Sequence, residues 1–145
     1  MFRGHFRHTV DPKGRVSVPS RFRELLAGHG DDLVILPYAG AIEVHPLHLW
    51  QVLEDKMNQL PLLDPDRRKV TYQYLSRGLD VKIDPQGRIQ IPQEYRERAG
   101  LQKDVWIIGL GNRFEVWDAD RWAHVDREES GPLEDVFTRL AAKGV

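Results

Sequence analysis

The strongest constraint on this chain is that it says the same thing twice. Residues 11–24 read Asp-Pro-Lys-Gly-Arg-Val-Ser-Val-Pro-Ser-Arg-Phe-Arg-Glu, and residues 84–97 read Asp-Pro-Gln-Gly-Arg-Ile-Gln-Ile-Pro-Gln-Glu-Tyr-Arg-Glu. Val16 and Val18 become Ile89 and Ile91, and Phe22 becomes Tyr95, so apolar character survives wherever a core would need it. After a one-residue slip the match resumes. Asp32-Leu-Val-Ile-Leu answers to Asp104-Val-Trp-Ile-Ile, Ile42-Glu43-Val44 to Phe114-Glu115-Val116, and Trp50 to Trp122. A unit of about forty residues is used twice, and each copy must bury its apolar face against something.

Asp11-Pro12-Lys13-Gly14 and Asp84-Pro85-Gln86-Gly87 are turn sequences. Aspartate accepts backbone N–H bonds, proline presets φ, and glycine tolerates the last position. The flanks alternate (Phe6, His8 and Val10 before the first turn, Val16 and Val18 after it), with Val81, Ile83, Ile89 and Ile91 repeating the pattern. Period two predicts half-buried strands, so each turn is expected to close a β-hairpin. Pro19 and Pro92 end the second strands. Ser20 is expected to cap a short helix over 21–27, with Gly28 and Gly100 at the C-terminal ends of the two equivalent helices. Compact apolar runs at 33–36 and 105–108 predict buried strands paired with 41–44 and 113–116. Residues 47–60 carry Leu49, Trp50, Leu53, Met57 and Leu60 at helical spacing. Asp64-Pro65 opens a further helix that Gly78 can stop, and 132–142 form an amphipathic tail helix. Trp50 and Trp122 read as core. The expectation is two four-stranded units packed on each other with internal pseudo-two-fold symmetry, an α+β domain.

Composition excludes more than it selects. There are no cysteines, hence no disulfide scaffold, thiolate zinc site, iron–sulfur site or cysteine nucleophile. No apolar run approaches the ~18 residues of a membrane helix, and no signal-like segment follows Met1, so a soluble protein that stays where it is made is expected. No Gly-x-x-x-x-Gly-Lys loop and no nucleophile set is present. The pairs His5/His8 and His45/His48 lack a matched carboxylate cluster and are expected to be solvated rather than metal-bound. No cofactor, metal or small-molecule substrate is expected. The net charge of −1 hides an asymmetry. Residues 1–30 hold Arg3, Arg7, Lys13, Arg15, Arg21 and Arg23 against Asp11 and Glu24, whereas 118–135 are strongly acidic. A basic face suits a polyanion, and the acidic segment is expected to face away from it or to pack on a neighbouring subunit.

The two Asp-x-x-x-Arg motifs (Asp11/Arg15 and Asp84/Arg88), each inside Asp-Pro-x-Gly-Arg-Val/Ile-x-Val/Ile-Pro, resemble AbrB/MazE-type swapped hairpins. With the Met-Phe-Arg-Gly opening and the tandem arrangement, the chain resembles the MraZ family of bacterial transcriptional regulators. The resemblance implies two AbrB/SpoVT-like swapped-hairpin units packed as one domain with flanking helices. Repeat 1 would span 5–47, a two-helix linker 48–76, repeat 2 77–120 and a helical tail 121–145. It further implies a ring-shaped homo-oligomer that binds double-stranded DNA at direct repeats upstream of its own division and cell-wall operon, typically as a repressor, in the cytoplasm and on the nucleoid. The motif arginines fall on Arg15 and Arg88, and the helix arginine on Arg23 and Arg96. The expected DNA-binding set is Arg3, Arg7, Lys13, Arg15, Arg23 and Arg88, with Asp11 and Asp84 bracing the turns. Of the two copies, the first carries the richer set of cations. The rival reading is an antitoxin-like protein-interaction module of the same swapped-hairpin type.

Overall fold

The computed structural model describes residues 1–128 and 132–145; Glu129, one of the acidic residues of the 118–135 stretch, lies outside the described residues. The first half runs β1 (His5–Thr9), β2 (Arg15–Ser17), α1 (Ser20–Leu26), β3 (Asp32–Tyr38), β4 (Ala41–Pro46), α2 (Leu47–Asn58), α3 (Pro65–Gln73) and a 3-10 turn (Leu75–Arg77). The second half runs β5 (Leu79–Lys82), β6 (Arg88–Gln90), α4 (Gln93–Arg98), β7 (Asp104–Gly109), β8 (Phe114–Asp118), α5 (Ala119–Glu128) and α6 (Leu133–Ala142).

Strand pairing crosses between the halves. A six-stranded antiparallel sheet has the order β1-β7-β8-β4-β3-β5, and β2 pairs with β6 in a separate ribbon. Exchanging the repeats maps that order onto itself. The internal two-fold passes between Val16 and Ile89 in the ribbon and between Glu43 and Glu115 at the centre of the sheet, both of which are register pairs.

This corrects the expectation of two closed hairpins and two four-stranded units. The turns themselves form: Asp11 N–H donates to the Arg15 carbonyl and Gly14 N–H to the Asp11 carbonyl, both at 2.9 Å. The strands then part, β1 to β7 and β2 to β6. The reason is layering. A three-residue strand left beside β1 would extend one sheet and leave that sheet's face bare. Paired as a ribbon, β2 and β6 instead lie over the face, and Val16 and Ile89 are each only 1% exposed.

The main core is therefore common property. Leu33, Ile35, Ile42 and Val44 of the first repeat meet Val105, Ile107, Phe114 and Val116 of the second, under Val16, Val18, Ile89, Ile91, Phe22 and Leu26. On the opposite face α2 covers Val34 and Leu36 with Trp50. There α5 sets Trp122 and Val125 on Ala41, Ile108 and Trp117. Trp50 is core, as expected, while Trp122 is half-buried, 5.7 Å from Trp117.

Helix boundaries follow local chemistry, with one correction. Pro19, not Ser20, occupies the N-cap of α1, and no side chain caps it; proline fixes the entry angle instead. Asp64 does cap α3, accepting from Asp66 N–H at 2.9 Å and Arg67 N–H at 3.1 Å. Gly28 and Gly100 follow their helices with φ of +90° and +64°. A second correction concerns His45. It is buried, not solvated, and its Nε2 lies 2.9 Å from Glu43 Oε1, which also accepts from the Tyr74 hydroxyl. Burial pushes the Glu43 carboxyl up, but the His45 and Tyr74 hydrogen bonds and the His45 and Arg113 charges outweigh it and hold it below the ordinary range. Burial and the Glu43 charge push the Tyr74 phenol far above its ordinary value. Among the described residues no helix is long and apolar enough to cross a membrane.

Candidate nucleic-acid interface

Because side chains alternate along a strand, burying Val16 and Ile89 turns Arg15, Ser17, Arg88 and Gln90 outward. The ribbon thus shows four polar side chains on a two-stranded platform. Arg15 and Arg88 sit diagonally across the two-fold, roughly 7–8 Å apart at Cα. The two turns flank them.

The two turns share one construction. Asp11 Oδ1 accepts from Lys13 N–H at 3.0 Å and Arg15 N–H at 2.9 Å, while Oδ2 accepts from Arg15 Nε at 2.6 Å. Asp84 Oδ1 accepts from Gln86 N–H and Arg88 N–H, both at 2.9 Å, and Oδ2 from Arg88 Nε at 3.2 Å. The backbone N–H of each arginine, more than its side chain, holds the aspartate below the ordinary carboxylate range. Using Nε against its own aspartate restrains the guanidinium plane, and the terminal nitrogens of an arginine form the fork that suits guanine O6/N7 or phosphate.

The halves differ at that fork. The Arg88 Nη2 donates to Gln86 Oε1, and its Nη1 stands 3.9 Å from Asp11 Oδ2. Arg15 shows only its Asp11 partner among the described residues. Lys13 is exposed at the tip of the first turn, and its carbonyl accepts from Gln90 Nε2 at 3.0 Å.

The structure thus brings Arg15, Arg88, Lys13, Asp11 and Asp84 together. Arg7 lies elsewhere, on the edge strand β1, with its guanidinium 5.5 Å from the Trp106 ring and 3.9 Å from the Asp104 carboxylate. Arg3 precedes β1, its backbone packed on Gly109 at the end of the sheet away from the turns. Arg23 reaches from α1 to the Val18 carbonyl (3.2 Å) and lies against Gly87. The outward positions Ser17 and Gln90 were missed by reading the sequence alone. Alternation puts them beside the arginines, but only once β2 and β6 are known to pair with each other.

A family model described as "MraZ protein, putative antitoxin-like" matches residues 1–73 and 76–143, one stretch per repeat. The Transcriptional regulator MraZ of Natranaerobius thermophilus is 42% identical over 141 residues, covering 97% of this chain and 96% of the relative. The protein of that name from Acetivibrio thermocellus is 39% identical over the full length of both, and that from Ligilactobacillus salivarius is 39% identical over 97% and 96%. Matched in both repeats and from end to end by relatives named for a non-enzymatic role, this chain belongs to the MraZ family.

Proposed function

We propose that the protein is a sequence-specific DNA-binding regulator of transcription, and that the β2–β6 ribbon is its reading head. One observation carries this: two arginines, each oriented by its own aspartate, stand on the outer face of a two-stranded ribbon whose inner face is anchored in the core. A β-ribbon fits the major groove, and the names of the relatives support a regulatory role.

Few cations stand on one ribbon, so a single chain binds duplex DNA weakly, in the ~10⁻⁴–10⁻⁶ M range of phosphate-driven contact. A ring-shaped homo-oligomer engaging several direct repeats at once raises affinity through effective concentration. We therefore read the target as direct repeats upstream of the protein's own operon, and the outcome as repression on the nucleoid. Arg15 is the leading base contact and Lys13 a phosphate contact. Arg88 has an auxiliary role, since its fork is already engaged.

The test is fluorescence anisotropy with labelled DNA from upstream of the gene, intact or with its repeats scrambled, across a salt series. Selective binding to intact repeats is expected, with a log–log salt slope of roughly −4 or steeper and loss of selectivity in Arg15→Ala. Equal weak binding to both DNAs, unmoved by Arg15→Ala, would discard the reading in favour of a protein-binding module.

A further inference from the structure

We propose that Arg23 and Arg96 are positioning residues, not DNA contacts, and that each locks the recognition turn of the opposite repeat. Four observations meet at each arginine. From α1, Arg23 Nε donates to the Val18 carbonyl at 3.2 Å. Val18 N–H donates to the carbonyl of Gly87, in the second turn, at 2.8 Å. The guanidinium lies so close over Gly87 that a Cβ there would be 2.7 Å from Nη1 and 2.8 Å from Cζ. Gly87 is buried and directly precedes Arg88.

The second copy does the same in reverse. Arg96 Nε of α4 donates to the Ile91 carbonyl at 3.0 Å, and Ile91 N–H donates to the Gly14 carbonyl at 2.8 Å. A Cβ on Gly14 would be 2.7 Å from Arg96 Nε and 2.9 Å from its Cζ. Gly14 is buried and directly precedes Arg15. The helix arginine of one half thus covers the peptide that aims the ribbon arginine of the other.

The chemistry selects arginine. A planar guanidinium can lie flat on a glycine and donate from Nε along its edge, whereas a lysine ammonium offers a point charge with no plane. The glycines then have two reasons to be glycine, a φ of +81° or +79° and the guanidinium overhead. The device also couples the halves: neither reading arginine can be placed unless both repeats are folded together.

The consequence for DNA rests on the reading of the ribbon given above, but the brace itself is a property of the free protein. The deciding measurement is amide hydrogen exchange of the free chain for Arg23→Ala, Arg96→Ala and the charge-preserving Arg23→Lys and Arg96→Lys. A crossed pattern is expected. The Arg23 variants should speed exchange at Gly87 and Arg88 about tenfold, the effect of losing one hydrogen bond locally, with Gly14 and Arg15 much less affected. The Arg96 variants should do the reverse. Unchanged exchange, or loosening confined to the variant's own repeat, overturns the proposal. If the alanine variants do not fold, the lysine variants decide it alone.

A DNA titration tests the assignment independently. A positioning role predicts weaker binding for Arg23→Lys with an unchanged salt slope. Wild-type binding by Arg23→Lys, with a slope shallower by about 0.9 in Arg23→Ala, would make Arg23 a phosphate contact and overturn its assignment. If the wild-type protein shows no selectivity for DNA, the reading of the ribbon fails while the crossed exchange pattern still decides the brace.

Discussion

Asp11 and Asp84 show how a turn residue becomes part of the proposed reading head. Each spends one oxygen on two backbone N–H groups and the other on the arginine that its turn presents. Since both carboxyls are held below their ordinary range in the folded chain, the turns gain their support fully above the unfolded value of about 3.9. That support drains away as pH falls through the lower folded values. An amide-shift titration of Lys13 and Arg15 should therefore hold steady through neutral and mildly acid pH and move only below about pH 3.9. A midpoint above that value would contradict the hydrogen-bond assignment. Asp11→Asn keeps an acceptor for the backbone but sets an amide against Arg15 Nε. DNA affinity in that variant should fall about tenfold, the loss expected for one charge-assisted hydrogen bond. The turn glycines give a sharper comparison. A Cβ on Gly14 would meet the Ile91 backbone oxygen at 2.6 Å, while the nearest atoms to one on Gly87 belong to the end of the Arg23 side chain. Backbone cannot step aside and a side chain can. Gly14→Ala should cost about 3 kcal/mol and Gly87→Ala about half that, read from urea midpoints. Equal costs would mean that φ strain alone sets the penalty.

Elements were legible where local chemistry decides and illegible where partner choice does. The turns at 11–14 and 84–87, the Asp64 cap and the tail helix follow from residue types within a few positions of each other. Alternation in Val16–Val18 and Ile89–Ile91 says which side chains face inward, but it is silent on which strand lies alongside. The crossing of β1 to β7 and β2 to β6 was therefore invisible to periodicity, which led to two closed hairpins, and it is seen only in the structure. Ser17 and Gln90 were invisible for the same reason. So was the reach of Arg23 to a turn more than sixty residues away. The polar centre of the sheet is a further case. Glu43 and Glu115 face each other across β4 and β8 on the two-fold, where like charges repel. Repeat symmetry would keep that conflict, and one residue outside the symmetry relieves it. Arg113 stands 3.8 Å from Glu43 and 3.3 Å from Glu115, and it has no basic counterpart in the first repeat, where Ala41 takes its place. Arg113→Ala removes that cation, but Glu43 keeps its His45 and Tyr74 hydrogen bonds and Glu115 keeps that from Trp117, so the change should cost about 1–2 kcal/mol. By chemical denaturation, a loss within ~0.5 kcal/mol of zero, the range of ordinary surface changes, would show that the Tyr74 and His45 hydrogen bonds suffice alone.

At the scale of the whole molecule, four of the six strand pairings among the described residues join one repeat to the other: β1 with β7, β3 with β5, β4 with β8 and β2 with β6. The other two, β3–β4 and β7–β8, stay within a repeat. The covalent link between the halves runs through the loop between α2 and α3, where Leu62 and Leu63 are 77% and 89% exposed and outside every core cluster. The link should therefore set the concentration at which the halves meet and little else. A protease site placed between Leu62 and Leu63 tests this. The cut chain should co-elute with the uncut chain in native buffer and keep its DNA binding, since no strand pairing is severed. Its unfolding should become bimolecular, with a midpoint that rises with protein concentration more steeply than that of the uncut chain, because effective concentration has been replaced by real concentration. Each half purified alone has the ribbon strand, turn and helix arginine of its own repeat and no partner for them. It should lose cooperative unfolding at low concentration, and regain it at high concentration by pairing with a second copy of itself or, more tightly, with the other half. Two fragments that separate in native buffer and unfold cooperatively as monomers would mean that each repeat closes on itself, and the crossed sheet would have to be abandoned.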